Sequence, residues 1–314
     1  MDWYYYVIIA IAIIFLFISI TTYISFKITF YSNRKKENTD ELVMPLGKIF
    51  KEYQPIAQAA FDKAKTLNYV EMEITSFDGL KLKGKYFESV KGAPIEIMVH
   101  GYRGNSFRDL SVGIERCFKL KRNCLLIDQR ASGDSEGSVI TFGVNESKDC
   151  LLWIDKVIEY FGKDVKILLT GISMGAATVV MAAGKELPKN VVGVLADCGF
   201  HSAKEIIKKT IKEMHLPVKL FYPFVKFAAK IFGKFNLEET SAIEEIKKTK
   251  LPIIFFHGKK DSIVPHYMSV EMYNACPTRK KLISIEEADH GIAYLVEPEK
   301  YLFELDNFFK NELK

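Results

Sequence analysis

Nothing in this sequence has the spacing of a metal site. The five cysteines (Cys117, Cys124, Cys150, Cys198, Cys276) are odd in number and widely separated, which excludes a disulfide framework and reads as small buried hydrophobes. His201, His215 and His266 show no ligand spacing, so no metal is expected. There is no P-loop and no G-x-G-x-x-G, so no cofactor is expected either. Repeats of 20–50 residues and low-complexity tracts are absent, which excludes a solenoid or a fibrous chain. The net charge is only +5 and comes with no nucleic-acid motif, so no nucleic-acid partner is expected.

Charge is missing altogether from Trp3 to Phe26. As a helix that run is about 36 Å long, enough to cross a hydrocarbon core of about 30 Å. Trp3, Tyr4, Tyr5 and Tyr6 at one end and Tyr23 and Tyr31 at the other are placed as interfacial aromatics. A cleaved signal peptide fits poorly: Asp2 stands where a basic n-region belongs, the run is too long, and no A-x-A site follows. Residues 1–30 are therefore expected to form a membrane anchor. Lys27, Arg34, Lys35 and Lys36 follow the span and no basic residue precedes it, which puts the remaining chain in the cytoplasm.

What is present is a large apolar content, 48% hydrophobic with 13% aromatic, in a chain of 314 residues. That suffices for one α/β domain of about 240 residues and an appendage. Residues 31–69 read as a polar linker followed by an amphipathic helix over Pro45–Leu67. From residue 70 onward, short apolar runs alternate with helical patterns, which predicts a doubly wound, mostly parallel sheet opened by a hairpin. Because all the chemistry-bearing motifs lie past the span, removing residues 1–32 is expected to leave a soluble, active domain.

The chain is organised around Val165–Lys185. Val165–Thr170 has the composition of a strand buried on both faces, and Met174–Gly184 that of a buried helix. Between them Gly171-Ile172-Ser173-Met174-Gly175 matches G-x-S-x-G, in which a serine stands on a sharp strand-to-helix turn. Ser173, Asp261 and His290 follow in the order Ser, acid, His, each just past a predicted strand, so they can meet at one sheet edge. His290 would relay the Ser173 proton and Asp261 would orient the imidazole. The backbone N–H groups of Tyr102 and Met174 are the candidates for an oxyanion hole. Asp197 also ends a strand and is the alternative acid. Asp289 is expected to point away from its neighbour His290, and His100 and His257 to be structural. The polar loop Asp128–Gly137 is expected to be a salt-bridged loop that shapes the site.

These motifs together resemble the α/β-hydrolases over residues 70–314: His100-Gly101, Asp128-x-Arg130 with Gly133-x-Ser135-x-Gly137, the Ser173 elbow, His257-Gly258-x-x-Asp261-x-x-Val264-Pro265, and Asp289-His290-Gly291. The chain is most similar in look to bacterial membrane-anchored serine hydrolases grouped with acylglycerol-lipase-like and dienelactone-hydrolase-like proteins. It departs from dienelactone hydrolases in having serine at position 173. The resemblance implies an eight-stranded sheet with its second strand antiparallel, and hydrolysis of acyl esters. Peptidase, amidase and thioesterase activities, and a non-catalytic tethered binding protein, are the alternatives on the same scaffold.

The segment from His201 to about Lys250 enters where such folds place a cap. Within it, residues 201–236 carry eight lysines against two acids, a balance of +6, interleaved with Phe221, Tyr222, Phe224, Phe227, Phe232 and Phe235. One expectation is a helical lid with a solvated lysine face and aromatics lining the pocket. The other is a cap lying against an anionic leaflet. Both give the site an apolar mouth suited to lipid-like acyl substrates.

Overall fold

The computed structural model describes residues 3–33, 42–45 and 47–313. The basic cluster Arg34, Lys35 and Lys36 lies outside the described residues. The apolar run forms one helix, α1 (Trp3–Thr29), exposed along most of its length and long and apolar enough to cross a membrane. The amphipathic segment forms α2 (Lys48–Thr66), which buries Phe50, Ala57, Phe61 and Ala64.

The body is an eight-stranded sheet with helices on both faces. In chain order its elements begin with β1 (Val70–Thr75), β2 (Lys81–Phe87), β3 (Ile95–Val99), α3 (Ser106–Lys119), β4 (Asn123–Ile127) and α4 (Glu146–Phe161). The centre is β5 (Ile167–Ile172), α5 (Met174–Ala183) and β6 (Val191–Asp197). After the inserted α6 (Ala203–Glu213), α7 (Val218–Ile231) and α8 (Ala242–Glu245) come β7 (Ile253–Gly258), α9 (Tyr267–Ala275), β8 (Lys280–Ile285), α10 (Ala293–Val296) and α11 (Pro298–Phe309). The spatial strand order is β1-β2-β4-β3-β5-β6-β7-β8. β2 pairs antiparallel with both β1 and β4, and every other pair is parallel. This is the α/β-hydrolase fold, with the second strand antiparallel as the resemblance implied.

The inner strands β3, β4 and β7 are buried at every position, because helices cover both faces of a parallel sheet. One charge cluster lies inside. Glu96 on β3 meets Arg116 Nη2 at 2.6 Å and Arg122 Nη1 at 2.9 Å, and Thr170 Oγ1 donates to it at 3.0 Å. Burial alone would raise this carboxyl, but the two guanidiniums outweigh it and hold it down to about 2.

Three expectations need correction. The body does not begin after residue 32. Phe30 is fully buried between Phe142 and Phe235, and its carbonyl accepts from Ile140 N at 2.8 Å. Tyr31 bridges to Val139, and the Ser32 hydroxyl donates to the Ala131 carbonyl at 2.7 Å. The end of α1 is therefore part of the core, so the segment 1–32 is not a detachable tether. The cap is also smaller than 201–250. α8 and the 3-10 turn Ile246–Lys248 pack against α5 in the body, which leaves α6 and α7 as the cap proper. The central strand is displaced from Val165–Thr170 to Ile167–Ile172, because its ladders to β3 and β6 run on to Gly171 and Ile172.

Candidate active site

The turn from β5 into α5 holds Ser173 at φ 55°, ψ −118°, a conformation that costs a non-glycine residue energy and lifts its side chain above the sheet edge. Glycine is required on both sides for reasons of space. A Cβ on Gly171 would overlap the Gly175 carbonyl, and one on Gly175 would overlap the Val99 carbonyl, both unyielding backbone. The Ser173 N–H donates to Asp197 O at 2.9 Å, which ties the elbow to the end of β6.

β7 and β8 end beside it. Ser173 Oγ lies 2.9 Å from His290 Nε2, and His290 Nδ1 lies 2.8 Å from Asp261 Oδ2. The three residues, 117 and 29 positions apart in sequence, thus meet in one hydrogen-bonded chain at the carboxyl edge of the sheet. Asp261 Oδ1 accepts from the N–H groups of Ile263 and Val264 at 2.9 and 2.7 Å. Its burial would raise the carboxyl, yet the hydrogen bonds from His257 and His290 overcome this and hold it well below the usual carboxylate range.

His257 is a site residue whose contact with the acid the sequence did not announce. It is fully buried, with Nε2 2.9 Å from Val264 O and 3.1 Å from Asp261 Oδ2, and Nδ1 2.7 Å from Ser269 Oγ. A carbonyl oxygen only accepts, so the network assigns the proton to Nε2 and leaves Nδ1 to accept from the serine. The i,i+4 spacing of His257 and Asp261 was the available signal.

The remaining candidates separate cleanly. Asp197 receives the Tyr301 hydroxyl at 2.9 Å and no imidazole; burial, opposed by that hydroxyl, pushes its carboxyl up to about 6. Asp289 does not bond the His290 imidazole: its carboxylate accepts the His290 backbone N–H at 2.7 Å, Ser262 N at 2.8 Å and Ser262 Oγ at 2.9 Å. His100 Nε2 accepts from Gln129 N at 3.0 Å, a structural role in the loop after β3. Asp128 pairs with Lys85, and Arg130 with Asp149 and Asp78, so Asp128–Gly137 is the ion-paired loop the sequence suggested. Cys198, Asp261 and His290 offer the one grouping of ligand atoms close enough to hold a metal among the described residues, and two of the three already bond to each other.

Two cavities flank Ser173. One, of about 370 Å³, runs beneath the cap and is lined by Phe142, Phe200, Ile206, Ile207, Ile211, Met214 and Ile263, with Ile28 and Thr29 of α1 as part of its wall. The other, of about 600 Å³, opens past His290 toward Arg103, Arg108, Met44 and Ile292. The aromatics of the cap do not line the first cavity as expected. Phe224 on α7 and Phe232 just past its end pack instead against Phe17, Tyr23 and Phe26 of α1, and the apolar wall is built by the aliphatic face of α6.

The loop bearing Tyr102 is tied to α1 as well. The Tyr102 hydroxyl donates to Thr29 O at 2.9 Å, and Arg103 Nη2 donates to Ile28 O and Tyr31 O at 2.9 and 3.0 Å. These bonds cap carbonyls that the end of a helix leaves without internal partners, and set a cation at the negative pole of its dipole. On the far side of the loop, Asp109 accepts the Gly101 N–H at 3.0 Å.

Comparison with known proteins agrees with this geometry. Residues 97–231 match the family described as the alpha/beta hydrolase fold. The chain is 26% identical to YqkD of Bacillus subtilis over 88% of each protein, and 25% identical to bem46 of Schizosaccharomyces pombe over 70% of this chain and 69% of that one. Among solved structures, the esterase Pf2001 of Pyrococcus furiosus superposes with a TM-score of 0.66 at 22% identity, covering 87% of this chain and 97% of that one. Sheet order, strained elbow and family match together show that the chain has the α/β-hydrolase fold.

Proposed function

We propose that this protein is a membrane-anchored serine hydrolase that cleaves carboxylic esters of apolar, lipid-like acyl groups. The observation that carries the reading is the continuous chain from Ser173 Oγ to His290 at 2.9 Å and on to Asp261 at 2.8 Å, with a largely apolar cavity beside the serine. Ser173 Oγ attacks the ester carbonyl while His290 Nε2 takes its proton. Asp261 holds the imidazole in the tautomer with Nδ1–H and stabilises the imidazolium. The tetrahedral oxyanion is held by the backbone N–H groups of Met174, at the start of α5, and Tyr102. The imidazolium returns its proton to the leaving alcohol oxygen as that bond breaks. Water, deprotonated by His290, then attacks the acyl-enzyme and releases the carboxylic acid and Ser173.

The anchor is α1, and the one-sided basic residues Lys27, Arg34, Lys35 and Lys36 orient the domain to the cytoplasm. Profiling against p-nitrophenyl esters of graded chain length beside aminoacyl-anilides tests the reaction class. Esters should turn over best at medium to long chain length, dependent on Ser173. Preference for the anilides would make the enzyme a peptidase or amidase on the same residues.

A further inference from the structure

The length of α1 and the place where the cap touches it lead to a consequence for substrate entry. Crossing a hydrocarbon core of about 30 Å takes about 20 helical residues. With Tyr4, Tyr5 and Tyr6 in one headgroup layer, the far boundary falls near Tyr23–Phe26. The cap reaches back along that helix. Phe224 packs on Phe17 with ring centroids 6.3 Å apart, and Phe232 on Tyr23 and Phe26 at 5.6 and 5.5 Å. Phe17 to Phe26 spans about 14 Å, roughly the hydrocarbon depth of one leaflet. The portion of α1 before Phe17 covers only about 21 Å, too short to cross alone. If α1 spans, α7 must enter the bilayer with it.

The surface of α7 fits that position. Leu220, Phe224, Phe227 and Ile231 recur at helical spacing on one stripe, and Leu220, Phe227 and Ile231 remain 52%, 49% and 49% exposed. Exposed large apolar side chains in a row beside an apolar helix are costly in water and ordinary in lipid. Lys219, Lys226 and Lys230 form a separate stripe about 100° round the helix; Lys226 is ion-paired with Glu238 at 2.7 Å, and the long side chains of Lys219 and Lys230 can extend toward the headgroups. The cavity that ends at Ser173 lies beneath the neighbouring cap helix α6, and its wall contains Ile28 and Thr29, the residues just past the hydrocarbon boundary on the same α1 that α7 packs against.

We propose that α7 is immersed in the leaflet nearest the domain, so that the cavity beneath the cap fills with the acyl chain of an ester already dissolved in that leaflet rather than from water. The acyl half of this proposal rests on the serine-hydrolase reading; the immersion does not. In glycerolipids the ester carbonyls sit at the headgroup boundary, the depth at which Ile28 and Thr29 meet the cavity. The anchor helix is then a wall of the acyl site as well as a tether.

Two measurements on the full chain in phosphatidylcholine–phosphatidylglycerol nanodiscs test it. All five native cysteines are buried, so a nitroxide can be placed on Phe227→Cys, with Ile14→Cys as the lipid reference and Tyr160→Cys as the water reference. The label at position 227 should collide readily with oxygen and poorly with a nickel chelate, as at position 14. Chelate accessibility matching position 160 overturns the immersion. In the second measurement, the double variant Leu220→Glu, Phe227→Glu should lose at least tenfold of its turnover of p-nitrophenyl palmitate dissolved in the bilayer, while hydrolysis of p-nitrophenyl acetate from water is unchanged. Unchanged palmitate turnover, or equal losses on both esters, overturns delivery from the leaflet. A wild-type protein inert to both esters and to a fluorophosphonate would instead refute the hydrolase reading, and the nitroxide result would still decide where α7 lies.

Discussion

The hydroxyl of Tyr102 donates to the carbonyl of Thr29 at 2.9 Å, joining the loop proposed to hold the oxyanion to the last turn of the apolar N-terminal helix. That bond, the Arg103 contacts beside it and the buried ring of Phe30 make the end of α1 part of the catalytic body.

Truncation should therefore be sensitive to where it falls. Deleting residues 1–20 removes mostly exposed helix, with the Phe17–Phe224 contact as its main loss, and should leave the melting temperature of the detergent-solubilised protein nearly unchanged. Deleting 1–32 also removes Phe30, a loss comparable to a buried Phe→Ala change of about 3–5 kcal/mol, and should lower the melting temperature by about 10 °C. Thermal melts of the two proteins make the comparison. Equal stability would mean that the Phe30 and Tyr102 contacts do not hold the body together.

His257 donates to the same Asp261 oxygen that orients His290, at 3.1 Å. His257→Leu removes that donor and should lower kcat about tenfold, the worth of one hydrogen bond to a charged group, with KM unchanged. His257→Gln, which can donate again, should recover most of the loss. A change in KM alone, or no rescue by Gln, would reduce His257 to a packing residue.

Asp197 carries the opposite expectation. Its carboxyl is raised to about 6 by burial, against the pull of the Tyr301 hydroxyl, so between pH 4 and 6 the folded state binds more protons than the unfolded chain. Stability contributed by this residue accordingly falls as pH rises through that window, by about 3 kcal/mol in total. Asp197→Asn should match the wild type near pH 4, gain stability relative to it toward pH 8, and retain most activity. Denaturant melts at the two pH values check the stability. If Asp197→Asn costs more turnover than Asp261→Asn, the acid of the triad is Asp197.

Orientation is checked by fusing reporters to Lys314. A reporter active only in the cytoplasm should give signal and one active only outside should not, as the flanking lysines and arginine imply. The reverse pattern would make the domain extracytoplasmic.

Legibility in the sequence followed the range of the interactions. The elbow could be read because Gly171, Ser173 and Gly175 are adjacent and their constraint is local. Ser173, Asp261 and His290 could be aligned because a parallel sheet brings all strand ends to one edge, whatever the distance between them along the chain. The wall built by Ile28 and Thr29 left no trace, since nothing in the few residues after Lys27 marks which of them meet Tyr102. The cap aromatics were misplaced for a related reason: α7 is apolar on the face toward the body and on the face toward α1, and composition does not separate the two. The two-residue displacement of β5 arose because ladder pairing to Val99 and Asp197 outlasts the apolar run that signals a strand.

The central claim is that Ser173 is a nucleophile activated by His290, and active-site labelling tests it most directly. A fluorophosphonate probe should modify the wild-type protein at Ser173, with labelling lost in Ser173→Ala and sharply reduced in His290→Ala, while kcat/KM for a medium-chain p-nitrophenyl ester falls at least about a thousandfold in Ser173→Ala. A folded wild-type protein that takes no label, or a Ser173→Ala variant that still turns over ester, would contradict the account.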